Sequence, residues 1–401
     1  MPLQFDSNVA MIYGVESAFG TAPSAAGTAQ RVRYTAGSAF NLSKDGFASN
    51  EIRSDLQIAD FRHGGRRVEG SINGELSTLS WDDFLAATMR NTWAAGVTAN
   101  QAGLTSVAAS GNVLTFGGGS LITSGFKVGD IVRFTNLPAP ATAWNSKNLR
   151  ITALTATTMT VAAVPTGAGN FTAQTTFTLS VPGRKLLMGT TTPSYTFELR
   201  YPDISVSELF TGCRIGGANI SIPPNGNAQV QFSVLGRDQQ LLTSSSSPYF
   251  SSPTAAPTTG ILTGIEGGIR LAGVEQTIIT SLQLQISLNL RADPVIGTPL
   301  VPEIFYGRSV VTGSVTFFLQ DETLLNVYAN ETEADLVAVA LAAGSEPRDF
   351  ISFSMQRIKL TGAQKSFDAD GGVVVTSPFQ ALLQSGSTVK DTSTLVIQRS
   401  N

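Results

Sequence analysis

The sequence predicts an all-β fold with minor helix, an internally duplicated strand-strand-helix unit and an inserted small β-domain. Three observations carry this. Most segments alternate apolar and polar residues at period two and are rich in Val, Ile, Thr and Phe, the signature of half-buried strands. Turn chemistry such as Pro223-Pro224-Asn225-Gly226 separates them. A stretch of the chain also repeats itself 243 residues later.

The alternating segments are Val68 to Leu76, Ser194 to Leu199, Ala218 to Ile222, Ala228 to Val234, Ser281 to Leu290, Val310 to Leu319, Phe350 to Leu360 and Thr394 to Gln398. One helix is expected from Ser80, where Ser80-Trp81-Asp82-Asp83 resembles a capping box with two carboxylates at the positive end of the helix dipole. Trp81, Phe84, Leu85, Thr88 and Met89 then form one stripe that reads as core packing. A second helix is expected over Asp321 to Asn330, capped by Asp321 and facing inward through Leu324, Val327 and Tyr328. Glu333 to Ala343 fits helix or strand equally.

In the repeat, Asp60 to Leu85 superposes on Glu303 to Tyr328 without a gap: Gly64 on Gly307, Val68 on Val311, Gly70 on Gly313, Ser71 on Ser314 and Leu76 on Leu319. Each copy follows a long loop, Lys44 to His63 in the first and Arg291 to Tyr306 in the second. Between the copies, residues 95–181 are rich in Ala, Thr and Gly, with short strands at Asn112 to Phe116, Ile131 to Phe134, Leu149 to Leu154 and Thr158 to Ala162. They read as an inserted domain, leaving 1–94 with 182–401 as a discontinuous core domain. Thr243 to Thr259, rich in Ser, Pro and Thr, reads as a surface loop.

Composition excludes several functions. Charged residues are 14% of 401, against roughly 25% in an average soluble domain. A net charge of −3 gives no general electrostatic footprint for gripping nucleic acid. One cysteine, Cys213, and one histidine, His63, exclude an internal disulfide and cysteine-based or multi-histidine metal centres. No apolar run reaches the roughly eighteen residues that span a bilayer, and MPLQFDSNVA lacks a basic-then-apolar signal. These features predict a soluble protein made in a reducing cytoplasm.

No catalytic, cofactor-binding or metal residue is assigned. His63 lies among Arg62, Arg66 and Arg67, and its counterpart in the repeat is Tyr306, so its role reads as structural or interfacial. Asp368-x-Asp370-Gly371 begins like a calcium loop, but Gly372 and Phe379 stand where oxygen ligands belong, so a β-turn is expected. Asp82 and Asp83 are adjacent on a helix and do not face each other as glycosidase carboxylates would. Cys213 reads as a small buried residue. The remaining charge is clustered: Asn50 to Arg67 mixes both signs with Leu56, Ile58 and Phe61, the pattern of a loop that docks on a partner.

A series of segments resembles one family. Ile52-Arg53-Ser54-Asp55-Leu56-Gln57-Ile58-Ala59-Asp60-Phe61-Arg62-His63-Gly64, then Val68-x-Gly70-Ser71-Ile72-x-Gly74-Glu75-Leu76 and Trp81-Asp82-Asp83-Phe84-Leu85, are similar to the N-terminal part of siphophage major tail tube proteins. Phe210-x-Gly212-Cys213-Arg214, Ser221-x-Pro223-Pro224-Asn225-Gly226, Phe305-Tyr306-Gly307-Arg308-Ser309-x-Val311-Thr312-Gly313, Asn330-Glu331-Thr332, Arg357-Ile358-Lys359-x-Thr361-Gly362 and Pro378-Phe379-Gln380-Ala381-Leu382 continue it. Gly125 to Val161 is similar to a small β-module found in such phage proteins.

The resemblance implies a tail-tube β-sandwich or barrel-like protomer, a non-enzymatic, cofactor-free virion subunit made in the host cytoplasm. It implies hexameric rings that stack into a hollow non-contractile tail through which phage DNA is ejected, the inner sheets joining into one barrel. Implied partners are the chain itself, the tape measure protein and DNA in the lumen, and tail terminator and tail tip proteins at the ends; no membrane is involved. Ring-stacking residues are then expected in the two loops: Arg53, Asp55, Leu56, Ile58, Asp60, Phe61 and Arg62 in the first, and Arg291, Asp293, Glu303, Phe305 and Tyr306 in the second. The strands of Gly70 and Gly313 become candidates for the lumen wall, and the insertion for the outer surface. The rival reading is another virion β-protein, such as a tail terminator or a receptor-binding tail or fibre protein.

Overall fold

The computed structural model describes residues 3–100, 103–367 and 371–401. Asp368, Ala369 and Asp370 of the expected β-turn lie outside the described residues. Fourteen of the strands and both α-helices among the described residues fall in two successive sets. The first set is β1 (Ala10–Val15), β2 (Ala39–Ala48), β3 (Phe61–Glu75), α1 (Asp82–Met89), β4 (Tyr195–Tyr201), β5 (Val206–Ile222) and β6 (Gln229–Gly236). The second is β7 (Leu262–Leu271), β8 (Ile279–Ser287), β9 (Val310–Phe318), α2 (Thr323–Ala329), β10 (Ala334–Ala342), β11 (Phe350–Leu360), β12 (Gln364–Ser366) and β13 (Val374–Ala381), followed by β14 (Val396–Arg399). Glu333 to Ala343 is thus resolved as strand.

The two sets pair alike. In the first, antiparallel ladders run β1-β4-β5-β6-β3-β2. In the second they run β7-β10-β11-β13-β9-β8, with β12 prolonging β11 along β13. The likeness extends well beyond the 26 residues that repeat in sequence. It reaches atomic detail at Gly70 and Gly313. A Cβ at Gly70 would lie 2.4 Å from the Ala39 carbonyl oxygen, and one at Gly313 would lie 2.3 Å from that of Gln283. Each glycine lets the preceding hairpin strand close against it, which explains why both copies keep it.

β5 pairs with β8 and so joins the two sets. An eight-stranded antiparallel stretch results, in the order β2-β3-β6-β5-β8-β9-β13-β12. In all, nineteen strands belong to one hydrogen-bonded network, which does not close into a barrel. Beneath it lies one large core that includes Ile72, Phe232, Ile220, Leu284, Val315, Phe353 and Ile397, all under 2% exposed.

α1 packs on this core through the stripe the sequence marks: Trp81, Phe84, Leu85, Thr88 and Met89 are buried. Its start differs from the expected capping box. Trp81 is the N-cap and no side chain caps the helix. Ser77 donates to the Ser80 hydroxyl at 2.8 Å instead. The two carboxylates turn to tertiary partners: Asp82 pairs with Arg399 at 2.6 Å and Asp83 accepts from Tyr13 at 2.7 Å. α2 starts after Asp321, whose carboxylate accepts from the Thr323 amide at 2.9 Å. It buries Leu324 and packs Val327 partly against the core, but Tyr328 is exposed, so the inward face is narrower than expected.

Eight strands, from Thr98–Asn100 to Thr178–Ser180, form a separate sheet with its own core, centred on Phe116, Phe126, Phe134, Trp144 and Phe177. Thr243 to Thr259 departs from a simple surface loop, since Phe250 is fully buried beside Ile12 and Ala29. Cys213 is buried. Among the described residues no helix is long and apolar enough to cross a membrane.

Candidate functional site

Three surfaces stand out. The first grows from the β2–β3 hairpin. Its ladder continues through Gly46–His63, Phe47–Arg62 and Ala48–Phe61, so both ends of the expected Lys44 to His63 loop are strand and residues 49–60 form the tip. The tip exposes what a lone globule would bury: Ile52 is 103%, Leu56 94%, Ile58 72% and Phe61 58% exposed. Two ion pairs brace it, Arg53–Asp55 and Arg62–Asp60, each at 2.9 Å. Apolar side chains held outward on a braced arm are the mark of a surface that another chain covers.

The corresponding arm of the second copy lies beside it. The Arg66 amide donates to the Pro299 carbonyl at 2.9 Å, so both loops leave the same end of the sheet. Here Ile296 and Phe305 are exposed, and Arg291 pairs with Asp293 at 3.2 Å. Two expected interface residues are engaged within the chain. Glu303 pairs with Arg214 at 2.6 Å. Tyr306 donates to the Pro193 carbonyl at 3.3 Å and lies under the guanidinium groups of Arg90 and Arg214. Burial pushes the Tyr306 phenol up to about 12, against the pull of the two arginines. His63 meets Phe61 edge-on at 5.3 Å on the same arm.

The second surface is the face of the eight-stranded stretch turned away from the core. The period-two pattern places Asn73, Gln231, Asn219, Gln285, Thr312 and Gln380 in one row across six strands. A neighbouring row reads Glu75, Gln229, Ser221, Gln283, Ser314 and Pro378. Strands β6, β8, β9 and β13, and β5 from Gly216 onward, contain no charged residue at all. Across these five strands each amide or hydroxyl is hydrated without fixed charge, so this part of the face is wet and electrostatically flat, and charge enters on β3, through Glu75 and the Arg67–Glu69 pair. The strands of Gly70 and Gly313 both belong to the face.

The third surface joins the insertion to the core. Lys185 lies between Asp130 and Asp391, 2.6 Å from each, with all three largely buried. Burial pushes the Asp130 carboxyl up to about 6, against the pull of the Lys185 ammonium. Burial disfavours the Lys185 charge too, but its two carboxylate partners outweigh that and raise it overall. Nearby, the Gln398 side chain accepts from the Ile131 amide at 2.9 Å and donates to the Ile131 carbonyl at 2.8 Å. Local sequence pattern does not reveal this anchor, because its members are 55 to 267 residues apart. The Gln/Ser alternation in β6 and β8 is the readable signal of the flat face.

Among the described residues no group of three or more His, Cys, Asp or Glu is placed to hold a metal ion. The phage tail tube protein family matches residues 6–381, nearly the whole chain. The chain belongs to the phage tail tube protein family. No curated protein matches it in sequence. As a tail tube protein it is a structural, non-enzymatic virion component, and the family implies self-assembly into a tube with other tail components.

Proposed function

We propose that this tail tube protein is the major subunit of a long non-contractile siphophage tail, stacking as rings into a conduit through which DNA is ejected. The observation that carries the reading is the uncharged amide and hydroxyl face. DNA sliding through a tube must not stick, and phosphate affinity comes from Lys and Arg. That face is the proposed lumen wall, with the tape measure protein as its other occupant.

The hairpin tip, through Arg53, Asp55, Leu56, Ile58, Asp60, Phe61 and Arg62, and the second arm, through Arg291, Asp293 and Phe305, are proposed to contact the next ring. Glu303 and Tyr306 hold the second arm in place. Tail terminator and tail tip proteins cover the same surfaces at the two ends. The insertion, residues 95–181, is proposed to lie outside, because its anchors to Lys185, Asp391 and Gln398 leave the uncharged face clear.

The family resemblance implies six chains per ring. The duplication favours a second reading, since three chains already supply six copies of the strand unit. Electron microscopy of assembled protein tests both. Hollow tubes are expected, and rotational averages separate six chains from three. A protein that stays monomeric under all assembly conditions would overturn the proposal.

A further inference from the structure

From the duplication we infer that the chain contains a copy of its own ring contact: β5 with β8 inside the chain is the template for β12 of one chain pairing with β2 of the next. The inference rests on the tube reading and identifies the partner as a second copy of this chain.

The argument is one of position. In the first set, β5 carries β6 on one side and β8 on the other. β8 is the outer strand of the second set's hairpin, as β2 is of the first. In the second set, β11 with β12 stands where β5 stands and carries β13 on one side. The opposite edge of β12 has no strand partner among the described residues. The outer edge of β2 has none either, and Ser38-Ala39-Phe40-Asn41-Leu42-Ser43 presents it without a charge or a proline. A long, flat, undefended edge in a free chain invites pairing, and natural sheets cover such edges.

The registers of the known ladders fix the register of the new one. Pairing of β5 with β6 and of β11–β12 with β13 aligns Gly217-Ala218-Asn219-Ile220-Ser221-Ile222 with Gly362-Ala363-Gln364-Lys365-Ser366-Phe367. Pairing of β2 with β3 and of β8 with β9 aligns Phe40 with Leu284 and Leu42 with Ile286. Inside the chain Asn219 faces Gln285 and Gly217 faces Ser287. Between chains Gln364 then faces Asn41, and Gly362 faces Ser43. The contact is antiparallel and head-to-tail, so identical steps propagate around a ring. Lys365 is the departure, standing where Ile220 is buried. A lysine on an exposed edge keeps unassembled chains from pairing at random, and its stem still lies along the sheet.

Gly362 supplies the decisive variant. A Cβ at Gly217 would lie 2.2 Å from the Ile286 carbonyl oxygen, so β8 closes only onto glycine. A Cβ at Gly362 meets nothing closer than Pro378 Cδ at 3.4 Å. Gly362→Val therefore fits the free chain and blocks only the strand arriving from its neighbour.

The test uses the full chain. G362V is expected to keep the wild-type circular dichroism spectrum and melting profile, and to lose more than about nine-tenths of tube yield, a tenfold loss corresponding to only about 1.4 kcal/mol. A double variant, Asn41→Cys with Gln364→Cys, is expected to give covalent multimers on mild oxidation of assembled tubes, because facing residues lie about 5 Å apart. Phe47→Cys with Gln364→Cys, displaced six residues or about 20 Å along the strand, is expected to give none. Tubes that form with G362V, or N41C/Q364C tubes without cross-links, overturn the contact and leave the tube reading standing. Wild-type protein that never assembles overturns both.

Discussion

Replacing Ile52, Leu56 and Ile58 together by Ser tests whether the hairpin tip is the stacking surface. Their exposures of 103%, 94% and 72% mean that the folded chain gains almost nothing from their apolar side chains. Fully burying each is worth about 2 kcal/mol, so complete coverage in a stack supplies about 5 kcal/mol when weighted by exposure. If the next ring covers half of that surface, about 2.5 kcal/mol is lost, close to a hundredfold in affinity. The assay is the critical concentration for tube growth, read by sedimentation beside the melting temperature of the unassembled chain. The expected result is a rise of at least about tenfold in critical concentration with an unchanged melting profile. Equal critical concentrations for variant and wild type would refute the stacking role. A fall in the melting temperature would show that the tip stabilises its own chain.

Arg53→Glu and Asp55→Arg are each expected to leave the chain folded and to block tube growth, as seen by negative-stain microscopy; normal tubes from both would count against the tip. Lys185→Met leaves Asp130 and Asp391 buried and facing each other, so about 3–5 kcal/mol of stability should be lost at pH 7.5 in chemical denaturation. Asp130 binds its proton more tightly folded than unfolded, so its charge weakens the fold as pH rises through about 6, and the penalty eases as pH falls towards 4. The defect of K185M should therefore shrink at pH 5; a defect independent of pH would refute the charge argument. Joining Val97 to Val181, whose backbones meet at 2.8 Å, removes the insertion and should leave tube assembly intact, although the uncovered Lys185 site lowers the melting temperature. A deletion variant that folds but forms no tubes would place the insertion in the ring contact.

Strands and core were legible because alternation at period two reports burial directly, and Phe350 to Leu360 forms β11 with those very bounds. The helix stripe was legible for the same reason. The cap was not, because Ser80 had a hydroxyl partner in Ser77 and the helix carboxylates had Arg399 and Tyr13 available from distant elements. The sequence repeat reached only 26 residues, whereas the pairing repeat spans two whole sets of strands. Gly70 and Gly313 survive because a backbone oxygen leaves room for nothing larger, while positions such as Phe232 and Ser377 need only fit different neighbours. In the candidate site, the exposure of Leu56 and Ile58 agrees with the mixed-sign loop pattern, and their docking role is the one proposed above. Glu303 and Tyr306 were not separable from them, since their partners Arg214 and Arg90 are about 90 and 216 residues away in sequence, distances no local pattern encodes.

The ladder between β5 and β8 also bears on how quickly a tube is built. Because both strands belong to one chain, this contact forms during folding at an effective concentration set by the tether, commonly in the millimolar range for short flexible links. It does not depend on how much protein the infected cell has made. Contacts between chains do, and they must stay silent until partners meet. That difference accounts for the chemistry of the two sites. Ile220, sealed before any encounter, is free to be apolar, whereas Lys365 must stay soluble while waiting. One duplication has thus divided the joints of a repeating structure into those settled at birth and those left open to regulation by supply.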